Sequence, residues 1–111
     1  MTLAFSRVVI TIPLVTLVEA KLQLHIADTL HDQDITAQRD AAQDAIIAYL
    51  GAAADATWTD VTAPRPVKQA IKLLMTHYYE HRGDAMETTD PAIWQAIYAL
   101  LAMYRDPTLV A

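Results

Sequence analysis

Two histidines and a glutamate occur together in the segment His77-Tyr78-Tyr79-Glu80-His81. The H-x-x-E-H spacing is that of inverted zinc peptidases, in which two histidines on one helix bind Zn²⁺ and the glutamate activates its water. Catalytic zinc needs a third protein ligand, and the only downstream glutamate is Glu87, six residues beyond His81. We therefore predict no metal here, with one histidine at the edge of a buried stripe, the other partly exposed, and Glu80 facing solvent.

A second group of ionisable residues surrounds an acidic loop. His25 and His31 flank this loop and lie near Asp28, Asp32 and Asp34. A calcium loop would need the D-x-D-x-D-G pattern and its glycine, and the sequence has neither here. It also lacks a nucleophile elbow, a phosphate-binding glycine loop and a dinucleotide fingerprint. We expect a solvated loop in a protein that is not an enzyme and has no cofactor.

The histidine segment ends the most regular stretch of the chain, residues 66–83. Pro66 suits the start of a helix, and Arg82 and Gly83 suit its end. Apolar residues recur at three- and four-residue steps and predict one buried stripe: Val67, Ala70, Ile71, Leu74, Tyr78 and His81. The opposite face carries Lys68, Lys72, Thr76 and Tyr79.

Three more helices are predicted around this central one. The capping box Thr16-Leu17-Val18-Glu19 begins a short helix that should end by His25 or Ile26. A second helix runs from about 33 to 50, capped by Asp32 or Asp34 and ended by Gly51. The last begins at Asp90-Pro91, with a stripe of Ile93, Ile97, Leu100, Leu101 and Tyr104, widened by Trp94 and Tyr98.

The remaining segments are irregular or extended. Residues 7–12 are rich in β-branched side chains and end at Pro13, which predicts a strand or an extended arm. Trp58 in the 52–66 connection should cover the core. Residues 84–89 form a polar loop, and residues 105–111 lack periodicity and should be a mobile tail. We predict one all-α domain, a small four-helix bundle-like fold with an extended N-terminal arm (1–15), a helical core (16–104) and a mobile C-terminal tail (105–111).

Composition limits the possible functions further. Of the 111 residues, 54% are hydrophobic and 20 are alanine, which favours closely packed helices. The net charge of −5 argues against a protein that coats DNA. The chain has no cysteine, so neither disulfides nor thiolate chemistry are available. Arg7 and Pro13 interrupt the apolar N-terminus, which argues against a signal peptide and a membrane span.

Two like-charged pairs stand out on the predicted helices. Asp40 and Asp44 are four residues apart on the second helix, and Lys68 and Lys72 are four apart on the third. Each pair repels itself on one helix face, so each needs opposite charges nearby. We hypothesise that the two pairs contribute to a contact between subunits. The sequence leaves open whether they meet within one chain or between chains.

Three blocks of the sequence together resemble one protein family. The first is residues 16–26, followed by the aspartate-rich loop. The second is the alanine-rich helix that ends at 45–51. The third runs from Pro66-Val67-Lys68-Gln69-Ala70 to His77-Tyr78-Tyr79-Glu80-His81-Arg82 and is followed by a closing helix at 99–105. In order and spacing, these blocks are similar to the head-to-tail connector, or adaptor, proteins of long-tailed double-stranded-DNA bacteriophages.

The resemblance implies a structural role. Family members are small helical proteins that assemble as a ring of about twelve copies beneath the portal, in the neck of the virion. The ring would bind the portal protein above and a stopper or tail completion protein below, with phage DNA passing through its channel without sequence-specific contact and with no membrane involved. We expect assembly in the host cytoplasm, and we expect the tail to dock on the portal through Arg105, Asp106, Pro107, Leu109 and Val110.

The resemblance does not extend over the whole chain. Family members often have a glycine- or proline-marked apolar loop before the last helix, where this chain has the polar residues 84–90. Contacts made by that loop are therefore not transferred, and residues 1–15 carry no firm similarity. The alternative function is a small helical DNA-binding or regulatory module. Such a module would need a basic recognition helix, and residues 66–82 have tyrosines and histidines where base-reading arginines would lie.

Overall fold

The computed structural model describes residues 10, 12–51, 54–81 and 91–105. Within these ranges the chain forms four helices: α1 (Leu17–Leu24), α2 (Asp32–Leu50), α3 (Arg65–Glu80) and α4 (Pro91–Arg105). The described residues contain no strand. The all-α prediction is confirmed, while most of the predicted N-terminal strand or arm lies outside the described residues.

Helix α1 begins and ends with recognisable caps. The Glu19 N–H donates to Thr16 Oγ1 at 3.1 Å, and the Thr16 N–H donates to Glu19 Oε1 at 2.9 Å. This reciprocal capping box satisfies two amide groups that would otherwise lack partners at the helix start. His25 closes the helix in the left-handed conformation, with φ of 60°. The predicted capping box is thus confirmed.

Helix α2 starts differently from the prediction. Its N-cap is His31, whose side chain makes no capping hydrogen bond, so the expected aspartate cap is wrong. Asp32 and Asp34 lie instead in the first turn, where their charges favour the positive end of the helix. The helix ends at Leu50 with Gly51 as C-cap at φ of 57°, a conformation that favours glycine, so the predicted end is confirmed.

Helix α3 begins one residue before the expected start and ends earlier. Arg65 is its first residue, with Pro66 second and Pro64 as the N-cap. It ends at Glu80 with His81 as C-cap, so the predicted end at Gly83, which lies outside the described residues, is wrong. Most of the predicted stripe is confirmed, since Val67, Ala70, Ile71 and Leu74 are buried, although Met75 and His77 are buried as well.

The pair α2 and α3 forms the centre of the fold. Both α1 and α4 pack on this pair, and among the described residues α1 does not contact α4. The core contains side chains from every helix, with Ile35, Ile46, Leu50, Ile71, Leu74, Met75, Ile97 and Leu101 as its largest fully buried helical residues. Trp58 is half-buried against this core, which confirms its prediction as a cover.

Helix α4 starts at Pro91, as predicted, while Asp90 lies outside the described residues. Ile97 and Leu101 are fully buried, and Ile93 and Leu100 pack against the core in part. The side chain of Tyr104 lies outside the described part of the chain. The described stripe therefore follows the predicted one, with its most buried positions at the middle of the helix.

Candidate functional site

Lys68, which we expected at a subunit contact, lies within a network of its own chain. Its Nζ donates to Glu19 Oε2 at 2.8 Å and to the Asp60 carbonyl oxygen at 2.7 Å. The two side chains of the ion pair are mostly buried, with 18% of Lys68 and 30% of Glu19 exposed. One ammonium group therefore joins α1, the connection before α3, and α3 itself. The opposite charge that Lys68 needs is supplied by Glu19.

The electrostatic environment of Glu19 follows from this network. Burial alone would raise the pKa of Glu19, because a charged carboxylate is less stable away from water. The hydrogen bond from Lys68, the backbone N–H of Thr16 and the charges of Lys68 and Lys72 outweigh burial. The pKa of Glu19 is lowered as a result, so its carboxylate stays charged at neutral pH.

A second ion pair fixes the other side of α1. Lys21 Nζ lies 2.9 Å from Asp32 Oδ1 in the first turn of α2. Glu19 and Lys21 thus tie α1 to α3 and α2, respectively. The sequence analysis predicted neither ion pair, because the two partners of each pair are distant in the chain and no local pattern indicates that they meet.

The acidic pair on α2 is open to solvent. Asp40 and Asp44 are both exposed, and Asp40 Oδ1 accepts hydrogen bonds from Nε and Nη2 of the neighbouring Arg39 at 3.2 and 3.0 Å. Among the described residues, no ion pair joins either aspartate to Lys68 or Lys72. Their role in a subunit contact stays a prediction. Within the described residues, Lys72 forms no ion pair with a carboxylate, in contrast to Lys68.

Gln43 holds the segment that leads into α1. Its Oε1 accepts from the Leu14 N–H at 2.7 Å, and its Nε2 donates to the Ile12 carbonyl oxygen at 3.0 Å. Leu14 and Val15 are fully buried beside it. The end of the predicted arm is therefore packed into the core through a buried amide. No local sequence pattern predicts this contact, because Gln43 lies 29 residues from Leu14.

The H-x-x-E-H segment forms the end of α3. His77 is buried, Glu80 is exposed, and the rings of His77 and His81 stack with centroids 4.4 Å apart. His81 Nδ1 lies 2.9 Å from the His77 carbonyl oxygen, so this ring closes its own helix end. His77, rather than His81, belongs to the buried stripe of α3, since His81 is the C-cap beyond the last helical residue and is partly exposed. Within the described ranges, no three His, Asp or Glu side chains converge to hold a metal.

Aromatic side chains line the contact between α2 and α4. The ring of Tyr49 lies 5.0 Å from Tyr98 and 6.3 Å from Trp94, and Trp94 lies 5.7 Å from Tyr98, measured between centroids. Tyr98 is 46% exposed. The cluster fixes α4 on α2 and leaves one aromatic edge at the surface. This agrees with the wide stripe that the sequence indicated for the last helix.

The predicted portal-docking residues cannot be placed in the same way. Arg105 is the last residue of α4, while Asp106, Pro107, Leu109 and Val110 lie outside the described residues.

The acidic loop before α2 is exposed, and its Asp28 Oδ1 accepts a hydrogen bond from the Leu30 N–H at 3.1 Å. Within the described ranges, no helix combines the length and apolar character that a bilayer crossing requires.

A comparison with protein families identifies a family to which most of the chain is similar. The model of the phage gp6-like head-tail connector protein family matches residues 14–98. This range begins at the buried Leu14, includes α1, α2 and α3, and ends at Tyr98 within α4. Comparison with curated proteins and with solved structures gives no match.

Proposed function

The chain belongs to the phage gp6-like head-tail connector family, and from this premise we propose that it forms a ring which docks on the portal and joins the phage head to the tail. The observation that carries this proposal is the family match over residues 14–98, which takes in three whole helices and half of the fourth. The proposed role of the protein is structural. The ring would lie in the virion neck after assembly in the host cytoplasm, and a channel would pass the DNA.

The charges of the described residues are compatible with a channel that does not hold DNA. Three of the eight basic side chains, Lys21, Arg39 and Lys68, are each paired with a carboxylate of the same chain. Binding of the DNA backbone requires basic groups that face the phosphates. A net charge of −5 with these cations already neutralised favours passage over binding.

The proposed partners follow from the family as well. About twelve copies would form the ring through a head-to-tail contact, in which one surface meets a different surface of the next copy. The portal protein would bind the end of the chain through Arg105, Asp106, Pro107, Leu109 and Val110, and a stopper or tail completion protein would bind the opposite side. Asp40 and Asp44 of one copy would face Lys72 of the next, with Lys68 nearby.

Particle composition tests the function most directly. We expect mass spectrometry of purified virions to detect the chain, and cryo-electron microscopy to place it as a closed ring between portal and tail. Absence from the neck, or a single copy per particle, would refute the proposal. Deletion of residues 106–111 should leave the melting temperature unchanged and reduce binding to the purified portal. An equal loss of folding and binding would remove the assignment of portal docking to the tail.

The charged part of the subunit contact needs a test that spares the fold. Reversal of Lys68 would also break its bond to Glu19 within the chain, so Lys72→Glu is the cleaner variant. We expect Lys72→Glu to weaken ring formation and Asp44→Lys to restore it in the same chain. Glu80→Lys, which changes an exposed carboxylate at the end of α3, serves as the control. Assembly of Lys72→Glu at the wild-type concentration would contradict the predicted contact.

A further inference from the structure

The outer face of α4 carries no charge. Residues 91–104 contain no Asp, Glu, Lys or Arg. Ile97 and Leu101 point into the core, whereas the solvent-facing side of the same helix consists of small or uncharged side chains: Gln95, Ala96, Tyr98, Ala99 and Ala102. A helix that is hydrophobic on all sides is usually buried on all sides. Among the described side chains of α4, Ile97 and Leu101 are buried, whereas the small or uncharged ones named above are exposed in the single chain.

A ridge of two large apolar side chains runs along α1. Val18 is 68% exposed and Leu22 is 70% exposed. They are four residues apart and therefore lie next to each other on the same helix face. Glu19 and Lys21 flank this ridge, and both are turned inward to the ion pairs with Lys68 and Asp32. The two pairs hold α1 so that its apolar ridge points away from the core.

These two surfaces belong to helices that do not contact each other in the described residues. Helices α1 and α4 each pack on the α2 and α3 pair, and in the described residues they do not touch each other. The ridge on α1 therefore cannot cover the face of α4 within one chain. Two different surfaces that lie apart on one chain are what a head-to-tail contact between identical copies requires.

We propose that the Val18 and Leu22 ridge of one copy packs against the Ala96 and Ala99 face of α4 in the next copy. This inference rests on the proposed ring. Side chains four residues apart form the ridges that fit the grooves of a neighbouring helix, and alanines let two helix backbones approach closely. A bulky ridge on one side and a shallow face on the other give complementary shapes, and neither surface would bury an unpaired charge.

The outer face of α4 is too small to hold a second copy by itself and would form only part of a larger contact. Helix α4 is about 22 Å long and about 10 Å wide, so its outer face offers a footprint of about 220 Å². A stable interface buries about 800 Å² on each partner. The apolar contact would therefore form the centre of the interface, surrounded by polar residues such as Asp44 and Lys72. An interface of this kind has a dry centre and a charged rim.

Introduced cysteines test the contact directly, because the chain has none of its own. A disulfide requires the two Cα atoms to lie within about 7 Å, which α1 and α4 of one chain do not satisfy. We expect the double variant Leu22→Cys with Ala99→Cys to give, on oxidation of the full chain, a ladder of covalent oligomers on a non-reducing gel. Each single variant should give dimers at most. The matched control is Leu30→Cys with Ala99→Cys, since Leu30 is 83% exposed but lies off the ridge.

Charge exchange tests whether the contact contributes to assembly. Leu22→Lys alone and Ala99→Glu alone should each raise the concentration at which half of the chain is assembled by roughly tenfold or more, because each buries an unpaired charge. The two changes in one chain should restore assembly, since every interface would then pair the introduced charges. Leu30→Lys should have no effect. Sedimentation measures the assembly, and circular dichroism shows that each variant is folded.

The outcomes separate this inference from the proposed function. A ladder together with restoration by the double variant supports the contact. Normal ring formation by Leu22→Lys would refute the contact and leave the connector function intact. The same conclusion would follow if the wild type forms rings but Leu22→Cys with Ala99→Cys gives no ladder. A wild-type chain that is monomeric in solution and absent from the virion neck refutes both. If deletion of residues 1–9 or 106–111 strengthened assembly, a segment of the same chain would be covering the outer face of α4. That result would also refute the contact.

Discussion

Removal of the Lys68 ammonium group should destabilise the fold by about 1–2 kcal/mol. Lys68→Met keeps most of the side-chain stem but loses the 2.8 Å bond to Glu19 and the 2.7 Å bond to the Asp60 carbonyl. A hydrogen bond to a charged group contributes about 1.5–3 kcal/mol. Partial exposure of both side chains reduces the ionic part to about 1 kcal/mol. The expected loss corresponds to a fall in melting temperature of about 4–8 °C for a domain of this size.

A double-mutant cycle in urea measures the ionic part of this loss. The cycle compares Lys68→Met, Glu19→Gln and the double variant, and Glu19→Gln retains an oxygen that can accept from Thr16. We expect a coupling free energy of about 1 kcal/mol at pH 7. Lys72→Met is the control, because the Lys72 ammonium group makes no hydrogen bond or ion pair within the part of the chain that the structure describes. A coupling near zero, or an equal loss in the control, would refute the role of Lys68.

The same network predicts how stability depends on pH. Glu19 has a lowered pKa in the folded chain, so its contribution is fully present above the ordinary value of 4.5. The contribution is lost as the pH falls from that value through the lower pKa of the folded state, because protonation then favours the unfolded chain. Below pH 4.5, the difference in unfolding free energy between wild type and Glu19→Gln should therefore decrease. A difference that stays constant down to pH 2 would contradict the assigned ion pair.

Three further substitutions test the caps and the core. Thr16→Ala removes the capping box and should lower the free energy of unfolding by about 1 kcal/mol, measured by urea denaturation. Gln43→Leu leaves the buried Leu14 N–H without its acceptor, which should cost about 1–3 kcal/mol and speed amide hydrogen exchange at Leu14, seen by NMR. Leu74→Ala opens a cavity in the core and should cost about 2–5 kcal/mol in thermal unfolding, whereas the exposed Leu30→Ala should change stability by less than about 0.5 kcal/mol.

The bonds of Lys68 to Glu19 and to the Asp60 carbonyl oxygen also change how the subunit contact can be studied. Lys68 was predicted to meet Asp40 and Asp44 across an interface, yet its ammonium group already bonds to Glu19 and Asp60 in the same chain. A loss of assembly after charge reversal at Lys68 would therefore mix a folding defect with an interface defect. Lys72 avoids this problem, since it influences the pKa of Glu19 only through its charge.

Much of the fold and the family could be predicted because the signals are local or lie in the order of blocks. The capping box of α1, the glycine at the end of α2 and the proline at the start of α4 each act on backbone groups within a few residues. Periodicity identified most of the α3 stripe for the same reason, since a helix places residues three and four apart on one face. The family followed from three blocks in sequence order, which the match over 14–98 supports.

Only the tertiary structure decided which polar side chains meet. Lys68 and Glu19 are 49 residues apart, and Gln43 and Ile12 are 31 apart. No local pattern can specify such pairs, because any of several carboxylates could satisfy one lysine until helix packing fixes the distances. The sequence by itself determined the four helices, the capping box of α1, the glycine at the end of α2 and the family. Packing of α1 and α4 on the central pair decided which charges are neutralised and which apolar faces, those of Val18 and Leu22 among them, remain exposed.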